Sequence, residues 1–326
     1  MTGQAASVGP HRFEVRCYAE SWPLNTAFVI SRGARTEARV VVVEVFAGGV
    51  TGIGECTPYP RYGESLESVL AEIHSILPAL QRGITRGQLQ ELMLAGAARN
   101  AVDCALADWL QKKSGAGFTG PESLPTVQTL VIAEPEAMAE AARTAESAGA
   151  SVLKLKLDRQ LVLERVAAVR RAAPGCELVI DANEAWAPEG LPALCEKLAA
   201  QGVSMLEQPL PVGEDQVLER FAHPLPICAD ESCHTRADLP KLKGRYDMVN
   251  IKLDKTGGLQ EALMLADAAS AQGFELMLGC MLCTSRAIRA AWPLGERARF
   301  VDLDGPTWLA KDVHPLQFFH GRVFWT

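Results

Sequence analysis

Residues 177–209, ELVIDANEAWAPEGLPALCEKLAAQGVSMLEQP, carry one pattern twice: a short apolar strand that ends in an acid. The first strand spans 177–181 and ends at Asp181; the second spans 203–207 and ends at Glu207. Working outward, the same unit recurs, and strands are expected at 126–132, 151–157, 226–230, 247–252, 275–279 and 300–304. Amphipathic helices fall between them, for example Pro135–Ala148, Leu161–Ala173 and Leu259–Gln272. Eight β units separated by helical segments predict an α/β fold, a (β/α)7β TIM-like barrel. The competing fold, an open doubly wound sheet, lacks its mark, because no GxGxxG follows the first strand.

Upstream the rhythm differs. Residues 12–19 and 37–47 read as antiparallel strands, with turns expected at Gly48-Gly49 and across Gly52–Gly54. From Ser65 to about Lys113 the apolar residues Leu66, Val69, Leu70, Ile73, Ile76 and Leu77 recur at helical spacing. This predicts an α+β capping domain over residues 1–118, divided from a barrel over 119–304 by the Gly/Ser/Pro-rich stretch Ser114–Pro125. The last segment, 305–326, holds Trp308, Phe318, Phe319, Phe324 and Trp325 and is expected to return to the cap.

Composition narrows the function. The 326 residues carry a net charge of −7 with no cluster of Lys and Arg, which excludes nucleic acid or an anionic membrane as the main partner. No apolar run approaches the roughly 18 residues of a membrane span, and MTGQAASVGPHRF lacks the apolar core of a secretory signal. Nine scattered cysteines suggest reduced thiols and a cytoplasmic location. The single CxxC, Cys280–Cys283, has no second pair and reads as small residues packed near a strand end. Homo-oligomerisation stays open.

Charge at the C-terminal ends of barrel strands faces the active-site mouth. Lys154 and Lys156 alternate on the second strand and so share a face, although a solvated strand would look the same. Asp181, Glu207 and Asp230 end three successive strands. One such acid is as readily a helix N-cap as a ligand. Three together would repel one another unless a hard cation such as Mg2+ lay among them. Lys252 ends the sixth strand, across the ring from Lys156, and Asp302 and Asp304 form a second acidic pair suited to an ammonium group. Opposed lysines beside a metal allow a proton to leave a carbon next to a carboxylate on one face and return on the other.

KLK at 154–156, DAN at 181–183, EQP at 207–209, ADES at 229–232 and NIKxxKxGG from 250 resemble the enolase superfamily, in its muconate-lactonizing-enzyme subgroup. The DLD at 302–304, with ECTPYPRYGES at 55–65 and GCMLCTSRAI at 279–288, is similar to the L-Ala-D/L-Glu type of dipeptide epimerase. The resemblance implies a Mg2+-dependent isomerase with Lys156 and Lys252 as acid/bases and Asp181, Glu207 and Asp230 as metal ligands. It implies substrate contacts from Thr129, Lys154, the amides of Cys280 and Leu282, and Asp302 and Asp304. Asn183 and Glu231 would orient ligands. The dipeptide's second side chain would be read by cap loops offering Arg32, Arg35 and Arg61, among which the sequence does not choose. Other dipeptides, or o-succinylbenzoate synthase or cycloisomerase chemistry on the same framework, are the alternatives.

Overall fold

The computed structural model describes residues 11–115 and 120–325. The expected domain boundary at 118/119 and the polar stretch over the first ten residues lie outside the described residues. Three antiparallel strands open the chain: β1 (Glu14–Ile30), β2 (Gly33–Ala47) and β3 (Val50–Cys56), in that order in the sheet. Both long strands overrun the expected ranges, so Arg32 lies in a tight hairpin tip and Arg35 on strand β2 rather than in a cap loop. A register shift between Pro23 and Phe28 breaks the alternation that would have revealed β1's second half.

Gly52 and Gly54 were expected in a turn and instead lie inside β3. The reason is a close approach. A Cβ on Gly52 would sit 2.2 Å from the carbonyl oxygen of Ala105, and one on Gly54 would sit 2.0 Å from that of Ala101. Both carbonyls belong to α4 (Ala97–Lys113), which follows α1 (Leu66–Ser75), α2 (Leu77–Arg82) and α3 (Arg86–Leu92). Val41, Val43 and Val45 of β2 pack with Ile73, Leu80, Leu89 and Trp109 to form the cap's own core.

After β4 (Ser123–Pro125) come the barrel strands, alternating with helices. They are β5 (Gln128–Leu130), β6 (Val152–Lys156), β7 (Glu177–Asp181), β8 (Val203–Glu207), β9 (Ile227–Ala229), β10 (Met248–Ile251), β11 (Glu275–Gly279) and β12 (Phe300–Asp302). The helices are α5 (Pro135–Ser147), α6 (Val162–Ala172), α7 (Leu191–Ala200), α8 (Leu239–Leu242), α9 (Leu253–Thr256), α10 (Leu259–Ala271) and α11 (Ser285–Ala291). All eight strands are parallel and neighbour in chain order. Val127 N donates to Val301 O at 2.8 Å, which draws the first and last strands together. Among the described residues no helix is long and apolar enough to cross a membrane.

The tail touches both the cap and the barrel. β13 (Gln317–Phe319) and β14 (Arg322–Phe324) pair with β4 beside the barrel, and Phe318 and Trp325 pack on the barrel core. Nearer the tail's start the cap is met: Trp308 contacts Phe28 edge-on at 4.8 Å, and Ala310 N donates to Pro23 O. An aromatic residue satisfies its burial on either surface, so composition could not choose the partner.

Candidate active site

Period-two geometry builds the site. Val127, Val179, Met205, Cys228, Met248, Met277 and Phe300 form one apolar layer inside the barrel. Two residues further along the same strands, the inward positions become Thr129, Asp181, Glu207, Asp230, Asn250, Gly279 and Asp302. The next step up adds Asn183, Lys252 and Asp304, while Val152 leads to Lys154 and Lys156. The apolar layer is thus a floor, and everything polar lies above it, toward the cap.

The ring places Lys156 on its second strand and Lys252 just past its sixth, on opposite sides of the mouth. Both line one cleft with Thr129, Asp230, Cys280, Leu282, Asp302 and Asp304, and the cap contributes Phe28, Ile30, Arg35 and Tyr59. The cleft encloses about 730 Å3 including its open mouth. Lys154, Asp181 and Glu207 are fully buried.

Lysines and acids interleave. Lys154 Nζ lies 2.6 Å from Glu207 Oε2, 2.6 Å from Asp302 Oδ2 and 3.2 Å from Asp181 Oδ2. Lys156 Nζ is 2.5 Å from Asp181 Oδ2. Asp230 meets Lys252 at 2.7 Å and Lys255 at 2.6 Å. Among the described residues no three His, Cys, Asp or Glu side chains converge as a metal-holding cluster. Lys154 lies among Asp181, Glu207 and Asp302, and Lys252 and Lys255 flank Asp230.

The charges respond to this packing. Burial alone would raise Asp181, but Lys156 and Lys154 together hold it well below the usual carboxylate range. Asp230 is held down in the same way by Lys252 and Lys255. Glu207 goes the other way, because burial and Asp181 outweigh its share of Lys154. Burial works to lower Lys154 and Lys252, yet the surrounding carboxylates push both above the ordinary lysine range. For Lys252 the like-charge lowering by Lys154 is outweighed by Asp230 and Glu207. Burial and then Asp302 push Asp304 up to about 6.

The second acidic pair is asymmetric. Asp302 is neutralised by Lys154, whereas Asp304 Oδ2 accepts from Thr129 N at 2.8 Å. The three arginines also separate. Arg32 spans Glu184 (3.2 Å), Glu231 (2.7 Å) and the Tyr59 hydroxyl (2.9 Å). Arg61 grips Glu184 through two bonds of 2.7 Å. Arg35 faces the cleft with its guanidinium 5.0 Å from the Tyr59 ring centre, and among the described residues it forms no ion pair. Asn183 donates to Asp181 through its backbone N (2.8 Å) and Nδ2 (3.1 Å).

Sequence reasoning missed several contributors. Asn250 Nδ2 donates to Glu207 Oε1 at 2.6 Å, and only its inward register marked it. Gly279 leaves space for a lysine: a Cβ there would lie 2.9 Å from Lys252 Cε and 2.7 Å from Asn250 Oδ1. Glu55 and Asp254 tie the cap to the barrel, through Thr284 N (2.7 Å) and Thr57 N (2.9 Å) respectively. No local pattern singles out these two acids.

Known proteins sharpen the comparison. Residues 12–118 match the family model of the mandelate racemase / muconate lactonizing enzyme N-terminal domain, and residues 136–299 match the enolase C-terminal domain-like family. The chain is 61% identical over 316 residues to the L-Ala-D/L-Glu epimerase of Escherichia coli K12, covering 95% of this chain and 98% of that one. It is 44% identical over 294 residues to an N-acetyl-D-glutamate racemase of Pseudoalteromonas, covering 87% and 92%. An enolase-family structure from Agrobacterium tumefaciens with bound sodium and L-Ala-L-Glu aligns with TM-score 0.92 at 44% identity, covering 96% and 97%. A dipeptide epimerase from Enterococcus faecalis complexed with Mg and L-Leu-L-Tyr aligns with TM-score 0.87 at 28% identity, covering 97% of each chain.

Proposed function

The chain belongs to the enolase superfamily, in its mandelate racemase / muconate lactonizing enzyme group, and is an epimerase; from that premise we propose that it interconverts L-Ala-L-Glu and L-Ala-D-Glu. The observation that carries this reading is one cleft in which opposed lysines, Lys156 and Lys252, share space with Asp304 and Arg35. Two lysines on opposite sides suit exchange of a proton at a stereocentre. An acid and an arginine suit a substrate with a free ammonium at one end and a carboxylate at the other.

Asp181, Glu207 and Asp230 fit a hard divalent cation such as Mg2+. The donors are all carboxylate oxygens, and Glu207 Oε2 and Asp230 Oδ1 are buried without an aligned hydrogen bond, although each lies 2.6 Å from an ammonium. When bound, that cation would offset the negative charge that builds up as the α-proton leaves. Lys156 and Lys252 pair here with Asp181 and Asp230, two of the acids that would hold the cation, so a bound cation would compete with both lysines for these carboxylates.

Lys156 and Lys252 then take and return the proton at the glutamyl Cα from opposite faces. Lys154, fully buried, holds Asp302 and serves the substrate carboxylate. Asp304, steadied by Thr129 N, receives the alanyl ammonium. The loop amides of Cys280 and Leu282 face the dipeptide backbone. Arg35 meets the γ-carboxylate, since Arg32 and Arg61 are already committed to acids. The reading assigns the enzyme to the metabolism of murein peptides, which contain the Ala–Glu unit.

Proton NMR in D2O with Mg2+ tests this. Loss of the glutamyl α-proton signal of L-Ala-L-Glu with appearance of the D-epimer is expected. Exchange of N-acetylglutamate with none of L-Ala-L-Glu would transfer the assignment to an N-acyl substrate. No exchange with any of a panel of dipeptides would remove the dipeptide reading.

A further inference from the structure

Parallel strands bond in a fixed alternation, in which one residue's N–H and C=O both serve the same neighbour. β8 and β9 begin that way: Leu206 N donates to Pro226 O at 3.0 Å and Gln208 N to Cys228 O at 2.9 Å. The next bond would run from Asp230 N to Gln208 O. It does not form, because Gln208 adopts φ +34° and turns its carbonyl toward Glu184 N on the other side, at 2.9 Å. The ladder therefore breaks between Glu207 and Asp230, two of the three acids assigned to the cation.

The Gln208 side chain takes the place of its own main chain. Its Oε1 accepts from Asp230 N at 2.9 Å and from Ser232 N at 3.1 Å. Its Nε2 faces three acceptors, Leu210 O (2.9 Å), Ser232 Oγ (2.9 Å) and the Tyr246 hydroxyl (3.0 Å). Behind them Asp215 Oδ2 accepts from Tyr246 (2.8 Å) and Ser232 (3.0 Å). Gln208 is fully buried, so none of these bonds competes with bulk water.

We propose that Gln208 is a positioning residue whose side-chain oxygen replaces the missing ladder bond and so sets the spacing of Asp230 from Glu207 for cation binding. The inference rests on the metal reading above. A leftover structural glutamine would show the same burial, but it would not need to accept from the amide of the ligand residue itself. The left-handed backbone at Gln208 is sustained because the side chain recovers the bond that the turn removes.

The test measures Mg2+ binding by calorimetry without substrate, alongside melting temperature. Gln208→Met keeps the volume and loses the acceptor, and a 10- to 100-fold weaker Mg2+ affinity is expected. Gln208→Glu keeps acceptor oxygens for both amides and is expected to bind Mg2+ no more than threefold more weakly than the parent. Tyr246→Phe trims the support behind the clamp and should lower the melting temperature while affinity stays within twofold. Unchanged affinity in folded Gln208→Met, or equal losses in Gln208→Met and Gln208→Glu, would overturn the proposal. Should Gln208→Met fail to fold, hydrogen exchange of the parent protein decides. The amides of Asp230 and Ser232 should be protected like strand amides, and rapid exchange would refute the clamp. Failure of the parent to bind any divalent cation would instead sink the metal reading, and the exchange data would still judge the clamp.

Discussion

Arg35→Met isolates the recognition of the second side chain. The guanidinium lies half-buried over Tyr59 at the cleft and makes no ion pair among the described residues, so its removal leaves no partner stranded. A guanidinium and a carboxylate 4 Å apart attract by about 4 kcal/mol at an effective dielectric near 20. Partial exposure and the loss of water from both groups reduce this to about 1.5–3 kcal/mol, the usual worth of a hydrogen bond to a charged group. The expected loss in kcat/KM for L-Ala-L-Glu is therefore about 10- to 150-fold. The assay compares L-Ala-L-Glu with L-Ala-L-Gln, which has nearly the same shape and no charge. The amide substrate should lose less than about threefold, so the variant compresses the preference between the two. Arg61→Met is the control, because Arg61 is held by Glu184 and should leave that preference unaltered. Equal losses for both substrates, or an unaltered preference in Arg35→Met, would refute the assignment.

Other measurements bear on the remaining parts of the site. Lys156→Ala and Lys252→Ala should each abolish epimerisation, while each still exchanges the α-proton of one epimer only; full activity in either would discard the two-face assignment. Asp304→Asn should cut kcat/KM for L-Ala-L-Glu by about 100-fold, the scale of a lost charge-assisted contact. N-propionylglutamate, which lacks only the ammonium, should be processed no worse by that variant, and a parallel loss would contradict an ammonium site. Stability should carry a signature of the cap–barrel contact. Burial pushes Glu55 and Asp254 up to about 7. Both therefore keep a proton in the folded protein that the unfolded chain releases near pH 4, and their contribution is full below that pH and lost as pH rises through 7. Glu55→Gln keeps an oxygen for Thr284 and removes the titration, so its melting temperature relative to the parent should climb from pH 5 to 8. A flat difference would show that Glu55 does not titrate in this range.

The barrel strands were legible because each one is an apolar run ending at a polar residue, and the period of two is a local property of extended chain. The positions of Lys156, Lys252 and the three acids were legible for the same reason, since their places follow from strand count and register. The cap was harder to read. β1 hides its second half behind a bulge, and Gly52 and Gly54 look like turn residues until α4 is laid against them.

What the sequence determined alone was the order of strands, the inward register and therefore the cast of charged groups at the mouth. Tertiary structure decided which of those groups meet. Arg32, Arg35 and Arg61 are equivalent as residue types, and only the folded arrangement sends two of them to acids and leaves one facing the cleft. Lys154, assigned above to the substrate carboxylate, is also seen to bridge Asp181, Glu207 and Asp302, three acids from three different strands. Gln208 and Asn250 earn their roles through neighbours 22 and 43 residues away. The physical reason is range. Backbone periodicity acts over a few residues, while pairing of buried charges is settled by contacts that exist only once the ring has closed and the cap has covered it.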